Sequence, residues 1–361
     1  MRIGILGGSF DPAHNQHVQL GLAALLEGHL DEVWYVPVFQ AVHKHGHALL
    51  DYRHRRALLH KALREFPQSR ICDIEMELGG PSYTFRTLEF LRERYPEHEF
   101  YLIIGGDSLS ELPTWMKIEQ IVAQTEFIVV ERPGVERVSP LDDAIVHWAP
   151  CLYSAVSSTA IRAAVQQHDF SFAGLDSEVL FEILQHDYYG SLGDNFRHWL
   201  KVIMHKQEGV AAGLREHMHS ATRLAVKYAL EVGCDPRLAL VAGMAHDLFR
   251  DADDAEIINL VSSTHFLLSD LEKQTPMLAH GPAAAAWLLQ VCPDIDSTII
   301  SAVKNHTFPQ PDSPLLTRIL STADTLDPIR QIDSRDQIRE SGISFEERFQ
   351  KVLQIKKTSH S

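Results

Sequence analysis

A chain of 361 residues with a formal net charge of −15, 45% hydrophobic and 22% charged residues has the composition of a folded globular protein and not of a disordered or fibrous one. Its length exceeds what one hydrophobic core usually serves, which predicts two domains. The acidic balance argues against broad duplex nucleic-acid binding, which needs a basic surface to neutralise phosphates, yet leaves room for a nucleotide in a locally basic pocket.

In chain order, short β-branched or aromatic segments at 2–6, 32–37, 70–76, 100–105, 126–131 and 144–148 read as strands, each bounded by Gly, Pro or charge clusters. Amphipathic stretches at 52–66 and 84–95 read as helices between them, and another helix starts near Asn15. This alternation predicts an α/β domain with a doubly wound parallel sheet, whose ligands sit beyond the carboxyl ends of the strands. Gly7-Gly8 and Gly105-Gly106-Asp107 both fall at such ends.

The pattern changes at 188–193, where two glycines and a serine follow a helix. Beyond it, helical periods at 216–232, 236–248, 256–260, 282–291, 297–305 and 315–326 predict an all-α domain. The expected division is 1–190, a linker at 191–197, a second domain at 198–355, and a polar frayed tail at 356–361.

Four cysteines, Cys72, Cys151, Cys234 and Cys292, lie far apart without a CxxC pair, so a disulfide framework or thiolate zinc site is not expected. The first residues lead straight into a strand-like segment and not a signal peptide, and the longest apolar runs are too short to span a bilayer. A cytoplasmic chain without membrane or nucleic-acid partners is the expectation; oligomeric state stays open.

The strongest motif is Gly7-Gly8-Ser9-Phe10-Asp11-Pro12-Ala13-His14-Asn15-Gln16-His17, between the first strand and the first helix. Glycines let backbone approach a phosphate, and a helix N-terminus offers unpaired N–H groups to an anion. His14 and His17, three residues apart, share one face of the first turn and can donate to phosphate oxygens. A second piece is Val156-Ser157-Ser158-Thr159-Ala160-Ile161-Arg162, where Ser157 or Ser158 caps a helix and Arg162 projects from its first turn. Hydroxyls, free N–H groups and a guanidinium make a second phosphate cradle.

Together these pieces resemble the HxGH nucleotidylyltransferase superfamily, and most closely the bacterial nicotinate-mononucleotide adenylyltransferases, over residues 1–190. The stretch 37–44 ending in His43-Lys44, the run Pro81-Ser82-Tyr83-Thr84, Ile104 to Ser108 continuing to Leu112-Pro113-Thr114-Trp115, and 175–189 also look like that family. Gln16 stands where the family has glycine between its histidines, and a side chain there would crowd the adenine or ribose.

The resemblance implies transfer of AMP from ATP, with its Mg²⁺, to nicotinate mononucleotide. It assigns His14 and His17 to the ATP phosphates, Arg162 with Ser157, Ser158 and Thr159 to the leaving pyrophosphate, and Lys44 to phosphate from a loop. Asp107 would contact ribose or a magnesium-linked group. Trp115 would stack on the pyridine ring, with Tyr83 and Thr84 near its carboxylate. Gly7, Gly8, Ser9, Phe10 and Gly105 would line the nucleotide. His45, His47, His54 and His60 read as surface residues.

The 21 histidines are partly organised in the second domain as His217, His246-Asp247, His280 and His306, with Asp324. An adjacent His-Asp pair spreads two ligands over about 100° of a helix, and imidazole with carboxylate suits iron, manganese or zinc. His217 and His219 compete as first ligand. Counting from His217 meets Ala221, Leu224, Ala225 and Tyr228, whereas counting from His219 meets Arg223 and Lys227, so His217 points inward.

These residues resemble the HD-domain phosphohydrolases, and residues 198–355 look like the symmetrical diadenosine tetraphosphate hydrolases. The supporting residues are Ala245-His246-Asp247, Leu278-Ala279-His280-Gly281, Asn305-His306-Thr307, Ala323-Asp324 and Asp327-Pro328-Ile329-Arg330. The resemblance implies two divalent metals, iron first with manganese or zinc as alternatives. Asp247 would be catalytic as the bridge between them, and Arg250 would contact substrate phosphate. A bifunctional enzyme is the leading reading. The alternatives are that one domain senses a nucleotide and regulates the other, or that the second domain cleaves another nucleotide phosphoester.

Overall fold

The computed structural model describes residues 1–40, 49–131, 137–151 and 156–359. The first strand, β1 (Arg2–Gly8), is a continuous apolar run because it lies in the middle of a sheet covered on both faces. It pairs in parallel with β2 (Glu32–Pro37) on one side and with β4 (Glu99–Gly105) on the other. Adding β3 (Ser69–Ile71), β5 (Glu126–Val130) and β6 (Val146–Ala149) gives the order β3-β2-β1-β4-β5-β6, all neighbours parallel. The order reverses between β1 and β4, which opens a crevice at their carboxyl ends.

Alternating side chains feed two cores. Ile3, Ile5, Trp34, Leu102 and Phe127 pack with Phe85, Leu88 and Leu91. Val33, Tyr35, Ile103 and Ile128 pack on the opposite face with Ala24, Leu59 and Leu63. These helical partners lie on α1 (Asn15–Glu27), α2 (Tyr52–Ala62) with its C-cap Leu63, and, for the first core, α4 (Thr84–Arg94); α3 (Ile74–Leu78) lies between α2 and α4 in the chain. Burying one such leucine contributes about 2 kcal/mol. A 3₁₀ segment, Gly106–Thr114, then α5 (Ile118–Gln124) and α6 (Ser158–Gln166) complete this part.

The strand expected at 70–76 is shorter. It stops at Ile71, and Ile74–Leu78 is helical. Ile74, Met76 and Leu78 alternate like a strand, but Ile74 and Glu75 are the buried residues and Met76 is 43% exposed, which is the phase of a helical turn.

By its internal contacts the chain divides into two compact units. One is Met1–Ala164 with Phe172–Val179; the other is Val165–Ser171 with Leu180–Ser361. The helix α7 (Ser177–Gln185) spans the change from one to the other. In the second unit the described elements are helical: α8 (Gly193–Gln207), α9 (Ala212–Glu231), α10 (Pro236–Ala245), α11 (Asp254–Ser262), α12 (Asp270–Gln274), α13 (His280–Val291), α14 (Ser297–Asn305), α15 (Leu315–Thr325), α16 (Asp333–Glu340) and α17 (Phe345–Ser359).

The helix α10 is apolar nearly all round and is buried from Ala239 to Ala245, as a central helix must be. Two glycines set how closely helices approach. A Cβ on Gly243 would lie 2.6 Å from Thr222 Oγ1, so α9 and α10 meet there, and one on Gly281 would lie 2.8 Å from the Val303 carbonyl, so α13 meets α14. Of residues 191–197, expected as a linker, Ser191 and Leu192 are buried and the rest begin α8. Of the expected frayed tail, residues 356–359 continue α17. No helix among the described residues is long and apolar enough to cross a membrane.

Candidate nucleotide cleft and candidate metal centre

In the first unit, the crevice between β1 and β4 is a cleft of about 440 Å³ lined by Gly7, Gly8, Ser9, His17, Thr84, Gly105, Asp107 and Trp115, among others. Two separate sequence motifs meet at Asp11-Pro12. Ser157 Oγ accepts from the Ala160 N–H and caps α6, while Ser158 Oγ donates to the Pro12 carbonyl at 3.0 Å. Arg162 donates to the Asp11 carbonyl at 2.6 Å and through its other amino group to Thr159 Oγ1. The turn Asp11-Pro12 is thus stapled to the first turn of α6.

His14 is the N-cap of α1, buried, with its backbone N–H donating to His17 Nδ1 at 3.2 Å and its ring centroid 3.8 Å from that of His17. Phe10 meets the His17 ring edge-on at 5.0 Å. Tyr83 caps α4 and turns its ring onto Phe85, while Thr84 faces the cleft. Lys44, like His43, His45 and His47, lies outside the described residues. His54 and His60 are exposed. Gln16 does not line the cleft. It is 4% exposed and donates through Nε2 to Cys151 Sγ at 3.8 Å, which removes the expected clash with the nucleotide.

Two residues of this cleft escaped the sequence reading. Glu75 is buried, lines the cleft and accepts from the Thr87 hydroxyl. Arg55, 1% exposed, donates to the carbonyls of Ser9, Val38 and Leu50 and so braces the glycine turn from behind. The only sequence signal for Arg55 was its apolar neighbourhood on α2, where Tyr52, Leu58 and Leu59 share its buried face.

In the second unit, His217, His246, Asp247, His280, His306 and Asp324 all converge, although they come from α9, the ends of α10 and α14, the start of α13, and α15. Asp247 lies at the centre. Its Oδ1 is 3.1 Å from His280 Nε2 and 3.4 Å from His306 Nε2, and its Oδ2 is 3.6 Å from both His217 Nε2 and His246 Nε2. Asp324 Oδ1 joins the second pair, 3.3 Å from His217 Nε2 and 3.9 Å from His246 Nε2.

Three imidazoles are aimed by one local device. His246 Nδ1 pairs with the Gly243 carbonyl at 2.7 Å, His280 Nδ1 with Met277 at 2.8 Å, and His306 Nδ1 with Val303 at 2.8 Å. Each partner lies three residues back, and each bond leaves Nε2 facing Asp247. His217 is held instead by Asp327, whose Oδ2 is 2.6 Å from Nδ1 and whose Oδ1 accepts from Ser220. Such partners fix the ring and raise its basicity as a ligand. Asp327 was present in the quoted sequence without a role, and its place one turn beyond Asp324 was the available signal.

Electrostatics match a ligand set. Burial pushes His246 down to about 4 and lowers His306 as well, which keeps both neutral. Burial alone would also lower His217, but the Asp324 and Asp327 carboxylates outweigh it and raise this group to about 9. Burial would raise Asp247, yet the surrounding imidazoles hold it well below the usual carboxylate range.

The donor set fits divalent cations. His246 Nε2 and Asp247 Oδ1 are buried without a hydrogen-bond partner among the described residues, a cost that a cation would remove. Candidate ligand atoms fall into two groups sharing Asp247, with separations of 3.3–3.9 Å in one and 3.1–3.4 Å in the other, which suits ligands about 2 Å from one ion. Nitrogen and oxygen donors without sulfur suit iron, manganese or zinc. Arg250 donates to Asp247 Oδ2 at 3.0 Å, and a cleft of about 190 Å³ opens beside His280, His306 and Asp324.

Comparisons with known proteins agree with both halves. Residues 5–164 match the cytidylyltransferase-like family and residues 214–329 match the HD domain, so the chain joins a nucleotidyltransferase-type unit to an HD unit. The probable nicotinate-nucleotide adenylyltransferase of Bacillus licheniformis is 41% identical over 139 residues, 38% of this chain and 74% of that protein. The nicotinate-nucleotide adenylyltransferase of Bacillus subtilis is 38% identical over 161 residues, 45% of this chain and 84% of that protein. The chain belongs to the nicotinate-nucleotide adenylyltransferase family. Among solved structures, Plasmodium falciparum nicotinic acid mononucleotide adenylyltransferase complexed with APC is 18% identical with a TM-score of 0.45, over 52% of this chain and 97% of that one.

Proposed function

We propose that the chain is bifunctional. The first unit transfers AMP from ATP to nicotinate mononucleotide, and the second hydrolyses diadenosine tetraphosphate symmetrically to two ADP.

For the transfer, the supporting observation is the staple of Ser158 and Arg162 onto Pro12 and Asp11, which brings the two phosphate-binding motifs together. A phosphate oxygen of the mononucleotide attacks the α-phosphorus of ATP; one P–O bond forms as the α–β bridging bond breaks, and pyrophosphate leaves. The protein's task is positioning and charge stabilisation. His17, held by Phe10 and by the His14 backbone, donates to the developing phosphate charge. Arg162 with Ser157, Ser158 and Thr159 receives the pyrophosphate, Lys44 steadies it, and the Thr84, Asp107 and Trp115 wall takes the mononucleotide. Mg²⁺ would arrive with ATP and neutralise its phosphates.

For the hydrolysis, the observation that carries the reading is that the two oxygens of one buried carboxylate, Asp247, face two separate imidazole pairs. His217, His246 and Asp324 with one Asp247 oxygen would hold one cation, and His280 and His306 with the other oxygen the second. Two bound divalent cations, iron first, would supply a nucleophile at neutral pH and polarise the phosphoanhydride. Asp247 fixes the spacing of the two sites, and Arg250 binds substrate phosphate.

The test is product chromatography on the whole chain. ATP, Mg²⁺ and nicotinate mononucleotide should give nicotinate adenine dinucleotide and pyrophosphate. Diadenosine tetraphosphate, with iron or manganese loaded, should give ADP alone, and Asp247→Ala should lose this activity with at least one ion per chain while keeping transfer. ATP plus AMP as products, or hydrolysis that survives Asp247→Ala, overturns the second half.

A further inference from the structure

We propose that Lys356, delivered by α17, binds substrate phosphate in the cleft of the helical unit, so that the C-terminal helix completes this site. The inference rests on the phosphohydrolase reading and adds to it a residue near the end of the chain.

Lys356 is held from two sides. Its Nζ donates to the His306 carbonyl at 3.0 Å and to Asp324 Oδ2 at 3.4 Å. It lines the same cleft as His280, His306, Asp324 and Arg250, and its side chain is 14% exposed. The helix that carries it is anchored by buried Phe345, Phe349, Val352 and Leu353, so the ammonium is placed by packing and not left to roam.

The charge arrangement points to an anion. Asp324 Oδ1 faces the His217 and His246 pair and also accepts from Arg330 at 2.6 Å. Lys356 sits on the other oxygen, Oδ2. Asp324 therefore has two organic cations as partners, and it is also a candidate ligand for a divalent one. With a divalent cation on Oδ1, the single carboxylate charge would be shared among that cation, Arg330 and Lys356, leaving positive charge in excess. A mostly buried ammonium whose partner charge is so divided is better satisfied by a further anion. A bridging or terminal phosphate oxygen of a nucleotide polyphosphate is such an anion, and the cleft gives it access from the side where His280 and His306 lie. Arg330 is placed differently: its guanidinium donates to Asp324 Oδ1 and lies 3.2 Å from His217 Nε2, on the side of the candidate ligands.

The test compares wild type, Lys356→Gln and Lys356→Arg as full chains loaded with manganese. Metal content, KM and kcat for diadenosine tetraphosphate, and calorimetric binding of inorganic pyrophosphate are measured for each. Lys356→Gln is expected to keep its metal and its thermal unfolding midpoint, to raise KM about tenfold or more with a smaller change in kcat, and to weaken pyrophosphate to a similar degree. Lys356→Arg should recover most of both losses. Unchanged KM and pyrophosphate affinity in Lys356→Gln overturns the proposal. So does a loss of metal or of folding that accounts for the whole defect and that Lys356→Arg shares. Should wild type fail to cleave diadenosine tetraphosphate, the substrate reading falls; the pyrophosphate comparison then decides Lys356 by itself, tenfold weakening supporting its role and equal affinity removing it.

Discussion

The Nε2 atoms of His280 and His306 lie 3.2 Å apart, and both face Asp247 Oδ1. Both Nδ1 atoms are engaged by backbone carbonyls, so the tautomer that satisfies them puts two lone pairs toward each other and toward a carboxylate. Such an arrangement is electrostatically unfavourable until a cation enters it. A divalent cation bound there would replace that repulsion with attraction to both nitrogens and to the carboxylate.

Asp327 provides a test of orientation as distinct from ligation. It touches no candidate ligand but His217, whose ring it aims through Nδ1. Asp327→Ala should lower the affinity for one of two ions by about 10- to 100-fold and leave the other bound. Stepwise metal titration with anomalous or atomic-absorption quantitation reads this; equal loss of both ions would mean that Asp327 holds the fold and not one ring.

His17→Ala should reduce adenylyl transfer by about a hundredfold or more, the usual loss when a preorganised donor to a phosphoryl oxygen is removed. Hydrolysis of diadenosine tetraphosphate should be unchanged, because the candidate metal ligands all lie in the other unit. Parallel loss of both activities would contradict independent sites.

Gln16→Gly should not improve transfer. The side chain is buried against Cys151, away from the cleft, and glycine near the start of α1 costs helix stability. The expected result is a loss of about 1 kcal/mol in denaturant unfolding of the first unit, with KM for ATP unaltered. Tighter ATP binding would show that the side chain does crowd the nucleotide.

Asp73 gives a pH-dependent prediction. It accepts from Tyr52 Oη and from Arg56 Nε, both at 2.7 Å, and while burial would raise its pKa, these partners outweigh that and lower it below 3.8. A carboxyl with a depressed folded pKa stabilises above its unfolded pKa and loses that contribution as pH falls through the folded one. Arg56 is 43% exposed, so solvent screening limits the effect. Asp73→Asn should therefore cost about 1 kcal/mol at pH 7, with the gap to wild type closing as pH drops below about 4, measured by urea unfolding of the first unit. A gap that is constant with pH would assign the loss to packing.

The parallel sheet was legible because its strands are buried on both faces and read as uninterrupted apolar runs between glycines and prolines. The failure at 70–76 has the same root: an edge strand of three residues carries too little signal, and Ile74, Met76 and Leu78 alternate although they lie on a helix. The converging histidines were legible where helical phase distinguishes inward from outward, as for His217 against His219, which is only half-buried, on α9. Arg55 and Lys356 were not legible, because a basic residue in a polar run reads as solvated. For Lys356 a clue was present: Phe345, Phe349, Val352 and Leu353 follow a helical period that carries the chain inward to within one turn of it.

The carbonyl three residues before His246, His280 and His306 sets the aim of each ring within four residues of chain. The long stretches between these histidines take no part in that aiming. Those stretches position the helices, as Gly281 does against the Val303 carbonyl, while the three carbonyls turn the nitrogens. Ring aim and cleft shape are in this sense specified by different residues: Gly243, Met277 and Val303 carry the first, and Arg250, Arg330 and Lys356 on the cleft wall carry the second.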